Sequence, residues 1–179
     1  MKILAISGSM RKASTNTALL REVAKRAPAT IEIDLLEDID KLPIFSQDLE
    51  GDETPELVSR FAQKIANADG LIFASPEYVH ALPGGLKNAI DWLVSRHEVI
   101  DKPIVLMHAS FGGEDLLYTL RKVLGTISVN FAPQIFAQFN LRSMSIDDID
   151  AFFTDTKNAN ELQNFIEEFQ THIFNTQAN

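Results

Sequence analysis

The sequence predicts an open α/β sheet of five parallel strands in the order 2-1-3-4-5, with helices on both faces. Three observations predict it. Strand-length apolar runs alternate with helical apolar stripes along the chain, two of those runs are almost continuously apolar, and one is wetted along one side. Parallel neighbours need right-handed crossovers, which the intervening helices supply.

The elements follow in order. KILAIS (2–7) is a short apolar run stopped by Gly8. TALLREVAKRA (17–27) then sets Leu19, Leu20, Val23, Ala24 and Ala27 on one helical face before Pro28. TIEIDLL (30–36) alternates Ile31, Ile33 and Leu35 with polar residues, the pattern of an edge strand, and this places the second strand outermost. Thr54 as cap and Pro55 at the first helical position announce a helix carrying Leu57, Val58, Phe61, Ala62 and Ile65. GLIFAS (70–75) and PIVLMHA (103–109) read as central strands covered on both faces. Between and after them lie helices over 84–96, with Leu86, Ala89, Ile90 and Leu93 inward, and over 114–125, ending at Gly125. A fifth strand falls within 133–139 and a closing helix within 159–174.

At 179 residues the chain suits one domain, 1–179, with a single good-sized core, and a hydrophobic share of 45% with 23% charged residues suits a soluble protein. A net charge of −9 argues against nucleic acid and anionic lipid as partners and for a small molecule. The absence of cysteine excludes disulfides and thiolate chemistry and suits the cytoplasm. With no apolar run of membrane-spanning length and no cleavage pattern behind MKILAIS, neither membrane insertion nor export is expected.

In a sheet of this order ligands bind beyond the carboxyl ends of the strands, at the switch point between the first and third. That rule selects three loops: 8–16, 76–85 and 110–114. The first, GSMRKASTN, precedes a helix N-terminus and carries hydroxyl and amide donors on Ser9, Ser14, Thr15 and Asn16, with one cation on Arg11. Neutral donors, one guanidinium and the helix dipole suit a terminal phosphomonoester. Neither GxxxxGK[ST] nor GxGxxG occurs in this stretch, which argues against a triphosphate and a dinucleotide pyrophosphate. A plain helix cap remains the competing reading of the same residues. In the second loop Pro76 and Pro83 stiffen both ends, Gly84 and Gly85 allow close backbone approach, and Tyr78 offers an aromatic face. In the third, Phe111 stands beside Gly112 and Gly113, whose N–H groups suit a carbonyl-rich ring edge, although the glycine pair is equally a turn. His80, His97, His108 and His172 show no metal-ligand spacing, and no metal is expected. EDID (37–40) and DDID (147–150) read as solvated acidic faces, Trp92 with Asp91 as packing and helix structure.

GSMRKASTN (8–16) matches the GSxRxxSxN signature of the NADPH-dependent FMN reductase family, and SPEYVHALPGGLKNAIDWL (75–93) resembles its second signature. The resemblance covers about residues 1–140 and implies a flavodoxin-like fold. It implies FMN as cofactor, NADPH or NADH as co-substrate, and quinones, flavins, azo compounds or similar small molecules as electron acceptors in ping-pong turnover. It further implies a cytoplasmic homodimer or homotetramer. Carried over by position, Ser9, Arg11, Ser14 and Asn16 would hold the phosphate, with Thr15 beside them as a further donor of the same loop. Pro76, Glu77, Tyr78 and Val79, with Ser110, Phe111 and Gly112, would meet the ring, and no side chain is expected to be catalytic because the flavin carries the chemistry. Many relatives have Asn where this chain has Val79, so a side-chain hydrogen bond is expected to be missing there. A one-electron carrier of the flavodoxin type and a flavin-free phosphate-binding module are the competing functional classes.

Overall fold

The computed structural model describes residues 1–178. Strands β1 (Lys2–Ser7), β2 (Glu32–Leu36), β3 (Gly70–Ala74), β4 (Ile104–His108) and β5 (Phe131–Gln138) alternate with helices α1 (Thr15–Arg26), α2 (Glu56–Ala66), α3 (Gly84–Asp91) and α4 (Glu114–Ile127), and α5 (Ile146–Phe152) and α6 (Thr156–Gln177) follow. All neighbouring strands pair in parallel, in the order β2-β1-β3-β4-β5, as the patterning predicts. β1 pairs Ile6 with Leu36 on one side and with Phe73 on the other. β2 is the half-wetted outer strand, whereas β3 and β4 are buried along their whole length.

Alternation of side chains along the strands makes two cores. Ile3, Ala5, Ile72 and Met107 face α1, α5 and α6; Leu4, Ile6, Leu71 and Phe73 face α2, α3 and α4. Helix α6 belongs to the first core through Leu162, Phe165, Ile166, Phe169 and Ile173. It lies so close to the start of β3 that a Cβ on Gly70 would stand 2.6 Å from Phe169 and 2.7 Å from Ile173.

Where boundaries differ from expectation the cause is local. Helix α1 starts at Thr15 rather than Thr17, because the Ser14 hydroxyl accepts from the Thr17 N–H and caps it earlier. Thr54 does not cap α2: its hydroxyl donates to the Gly51 carbonyl, and Pro55 takes the cap position. Helix α3 ends at Asp91, since Leu93, Val94 and Arg96 donate to carbonyls three residues back in successive tight turns. Gly125 lies inside α4, which runs on to Ile127: its φ is not positive, so no left-handed reversal ends the helix there, and a Cβ at this position would meet nothing nearer than Phe131 at 3.6 Å. Helix α5 falls on the acidic stretch read as a solvated face. Ser145 and Asp148 form a capping box at its start, and Asp150 bonds Lys25 and lies beside Arg26, which holds its carboxyl below the usual range.

Candidate cofactor site

The first loop leaves β1 at Gly8, whose N–H still donates to Ala74 of β3 at 2.8 Å. A Cβ here would lie 2.4 Å from the Ser75 hydroxyl, so glycine is needed for close packing of the two loops rather than for an unusual backbone angle. Beyond it the polar side chains share one arrangement. Ser9 Oγ accepts from the Arg11 N–H at 3.3 Å, Ser14 Oγ from the Thr17 N–H at 3.2 Å, and Asn16 Oδ1 from the Ala109 N–H at 3.2 Å. All three residues are buried, at 5%, 6% and 4% exposure. Each therefore spends an acceptor on the protein and keeps a donor: two hydroxyl protons and an amide NH2. The N–H groups of Thr15 and Asn16, in the first turn of α1, are bonded to no backbone or side-chain acceptor among the described residues. Arg11 is exposed and makes no ion pair among the described residues. The result is a set of donors and an exposed cation at the positive end of a helix, which suits a phosphate.

The second loop is a miniature hairpin. Tyr78 and Ala81 exchange two backbone bonds of 3.1 Å, and the two residues between them, Val79 and His80, both sit in the left-handed region at φ 52° and 57°. That is the geometry of a two-residue type I′ turn, which ordinarily takes Asn-Gly. A β-branched valine pays for it in strain, and Val79 is 95% exposed, so packing returns nothing.

Glu77 and His80 fasten this hairpin to α4. Gly113, at φ 89°, has no side chain to cap that helix, and the Glu77 carboxylate does so from the other loop, accepting from the Leu116 N–H at 3.0 Å. His80 Nδ1 stands 2.7 Å from Asp115 Oδ2 and 3.9 Å from Glu77 Oε1. Of the predicted ring contacts, Pro76 and Tyr78 border the loop with Tyr78 partly exposed, and Val79 stands at its tip. Glu77 has its carboxylate committed to α4.

In the third loop, Ser110 Oγ accepts from the Gly112 N–H at 3.1 Å, so that N–H is already engaged, and the Ser110 carbonyl accepts from Gln138 at 2.6 Å. Phe111 projects outward, 68% exposed. Beneath lies His108, 2% exposed at the end of β4, with Nε2 2.9 Å from the Gly112 carbonyl. A Cβ on Gly113 would approach that nitrogen to 2.7 Å. Burial pushes the His108 pKa down, against the Gly112 and Ser75 carbonyls and Glu77, which favour the charged ring.

The three loops meet at the carboxyl ends of β1, β3 and β4, and Asn16 ties the first to the third across 93 residues. Sequence reasoning named His80 and His108 only as histidines without metal-ligand spacing and missed Asp115, because the contact of His80 with Asp115 spans 35 residues and leaves no mark in local spacing. It also missed Asn88, which accepts from the Phe45 N–H and donates to Pro43 O; with Trp92, whose indole N–H donates to Pro43 O at 2.7 Å, it pins the 43–45 strap beside α3.

The sheet order defines a flavodoxin-like fold, and the family and relatives that the chain matches make it an FMN-dependent oxidoreductase. The chain belongs to the NADPH-dependent FMN reductase family, whose model matches residues 1–142. It is 36% identical over 130 residues to a quinone reductase of Escherichia coli strain K12, covering 69% of each chain. To an NAD(P)H-dependent FMN reductase of Pseudomonas aeruginosa it is 38% identical over 135 residues, 73% of this chain and 72% of the other. Among solved structures it is similar to FerB, a flavoenzyme NAD(P)H:(acceptor) oxidoreductase from Paracoccus denitrificans, with a TM-score of 0.78, 28% identity and 98% of each chain covered. FMN is the cofactor, a reduced nicotinamide nucleotide the electron donor, and the acceptors are small molecules. No helix among the described residues is long and apolar enough to cross a membrane.

Proposed function

We propose that this chain reduces quinones and related small acceptors at the expense of NADPH or NADH, in ping-pong turnover at one face of the flavin, as a cytoplasmic homodimer or homotetramer. The observation that carries the reading is the matched set of spent acceptors and spare donors on Ser9, Ser14 and Asn16. Those donors, the Thr15 and Asn16 N–H groups and Arg11 would hold the phosphate of FMN. Their number satisfies a dianion without magnesium, because each bond to a charged oxygen contributes about 1.5–3 kcal/mol. Bound FMN supplies the two-electron transfer between nicotinamide and acceptor.

The protein's part is positional. Pro76 to Val79 form a ledge fixed by the Glu77 and His80 contacts to α4, and Ser110 to Gly112 form the facing edge. Tyr78 and Phe111, both exposed, offer flat apolar surface where a nicotinamide and then a quinone would rest.

The test is anaerobic. Protein reconstituted with FMN should bleach on addition of NADPH and regain its colour with a quinone. Arg11→Ala should weaken FMN binding about tenfold to a hundredfold with thermal stability unchanged. FMN that binds but is not reduced by NADPH would make the protein a one-electron carrier, and undiminished affinity in the variant would overturn the phosphate assignment.

A further inference from the structure

The functional reading leaves one buried titratable group without a task. His108 Nε2 lies 2.9 Å from the Gly112 carbonyl, which accepts its proton, so the neutral ring carries its lone pair on Nδ1. That nitrogen is buried and has no hydrogen-bond partner among the described residues. Buried polar atoms are seldom left so, and each one calls for a reason. Histidine is also an odd choice for packing alone at the end of an otherwise apolar strand, IVLMH.

The surroundings pull the ring both ways. The Gly112 and Ser75 carbonyls favour the charged ring, Gly112 through its contact with Nε2. Of the charged groups that act on it, Glu77 on the second loop favours the proton and Arg121 on α4 opposes it. Burial is the larger opposing factor, so the ring is neutral until a negative charge arrives nearby. Its Nε2 edge meets the Gly112 carbonyl, and a Cβ on Gly113 would approach it to 2.7 Å, so the ring lies directly against the loop assigned to the flavin ring.

We propose that His108 is a charge-balancing proton site: Nδ1 takes up one proton from solvent when negative charge is added at the third loop, and releases it when that charge leaves. This rests on the functional reading above. Its balance is simple. NADPH gives up a hydride, which is two electrons and one proton and adds one negative charge to the site. Solvent gives one proton, and the one new bond at His108 is N–H on Nδ1. When the quinone is reduced to its hydroquinone it takes the hydride equivalent and one proton, and His108 returns to the neutral ring. His108 is a positioning and charge-compensating residue, since it touches neither partner directly.

The test uses the FMN-loaded protein with imidazole nitrogen-15 labelling, followed by NMR in the oxidised and the fully reduced states over about pH 5 to 8. Nδ1 should change from a bare lone pair to N–H on reduction at neutral pH. In parallel, the midpoint potential of the bound flavin is followed against pH for the natural protein and for His108→Gln. The natural protein should show one proton more per two electrons than the variant over the window between the two His108 pKa values. An Nδ1 with the same protonation in both redox states, or identical slopes in a folded, flavin-loaded variant, overturns the proposal while leaving the reductase reading standing. Protein that takes up no FMN removes both.

Discussion

The two loops flanking the switch point are built in opposite ways. The first reaches its shape with no left-handed residue at all, and its side chains are set by bonds to its own backbone and to Ala109. The second puts two consecutive non-glycine residues, Val79 and His80, into the left-handed region, and it is held by Glu77 and His80 reaching across to α4. A group that binds a small, fixed anion needs donors arranged beforehand, and ordinary backbone angles supply that at little cost. A ledge for a flat ring needs a rigid protrusion instead, and strain is tolerated there because contacts from outside the loop over-determine it.

The sharpest way to break the contrast is to remove the outside support of the second loop. Glu77→Ala strips α4 of the cap that Gly113 cannot provide and leaves the Leu116 N–H part-buried without its acceptor. It should destabilise the protein by about 2 kcal/mol in urea unfolding and lower flavin affinity as the hairpin loosens. Ser14→Ala should cost about 1 kcal/mol of stability through the α1 cap and weaken FMN binding in the same variant, since one hydroxyl serves both ends. An unfolding midpoint that moves with no change in FMN affinity would assign Ser14 to the cap alone. Val79→Asn should act in the other direction, raising stability by about 0.5–1 kcal/mol because asparagine tolerates φ 52° better than a β-branched side chain. A loss of stability there would mean that the valine makes contacts its 95% exposure conceals. His80→Ala is expected to change stability by about 0.5 kcal/mol or less, the contact with Asp115 being exposed on both sides. Scanning calorimetry of that variant separates a fastening role from a decorative one.

The sheet order and the loops that matter were legible in the sequence because burial writes itself as period: IVLMH has no polar partner face, EIDLL has one. Helix ends were less legible, since they depend on which group happens to satisfy four free N–H or C=O groups. A start of α1 at Thr15 rather than Thr17, and Pro55 rather than Thr54 at the cap of α2, are choices of that kind. The DDID stretch keeps exposed carboxylates, as read, and that it also opens a helix was not legible because acidic residues serve equally as solvated surface and in the first turn of a helix. Most of the polar framework was invisible for a different reason. Asn16 with Ala109, Glu77 with Leu116 and His80 with Asp115 join residues between 35 and 93 positions apart, and folding alone brings them together.

The close approach of α6 to Gly70 bears on how this chain could be shortened or lengthened. The family match ends at residue 142, yet Phe169 and Ile173 rest against the very glycine that opens β3. The last helix is therefore a wall of the building and not a porch. An excision at the edge of the matched region would bare the face of β1 and β3 that α6 covers, whereas a fusion partner spliced after the helix would leave the carboxyl ends of the strands undisturbed.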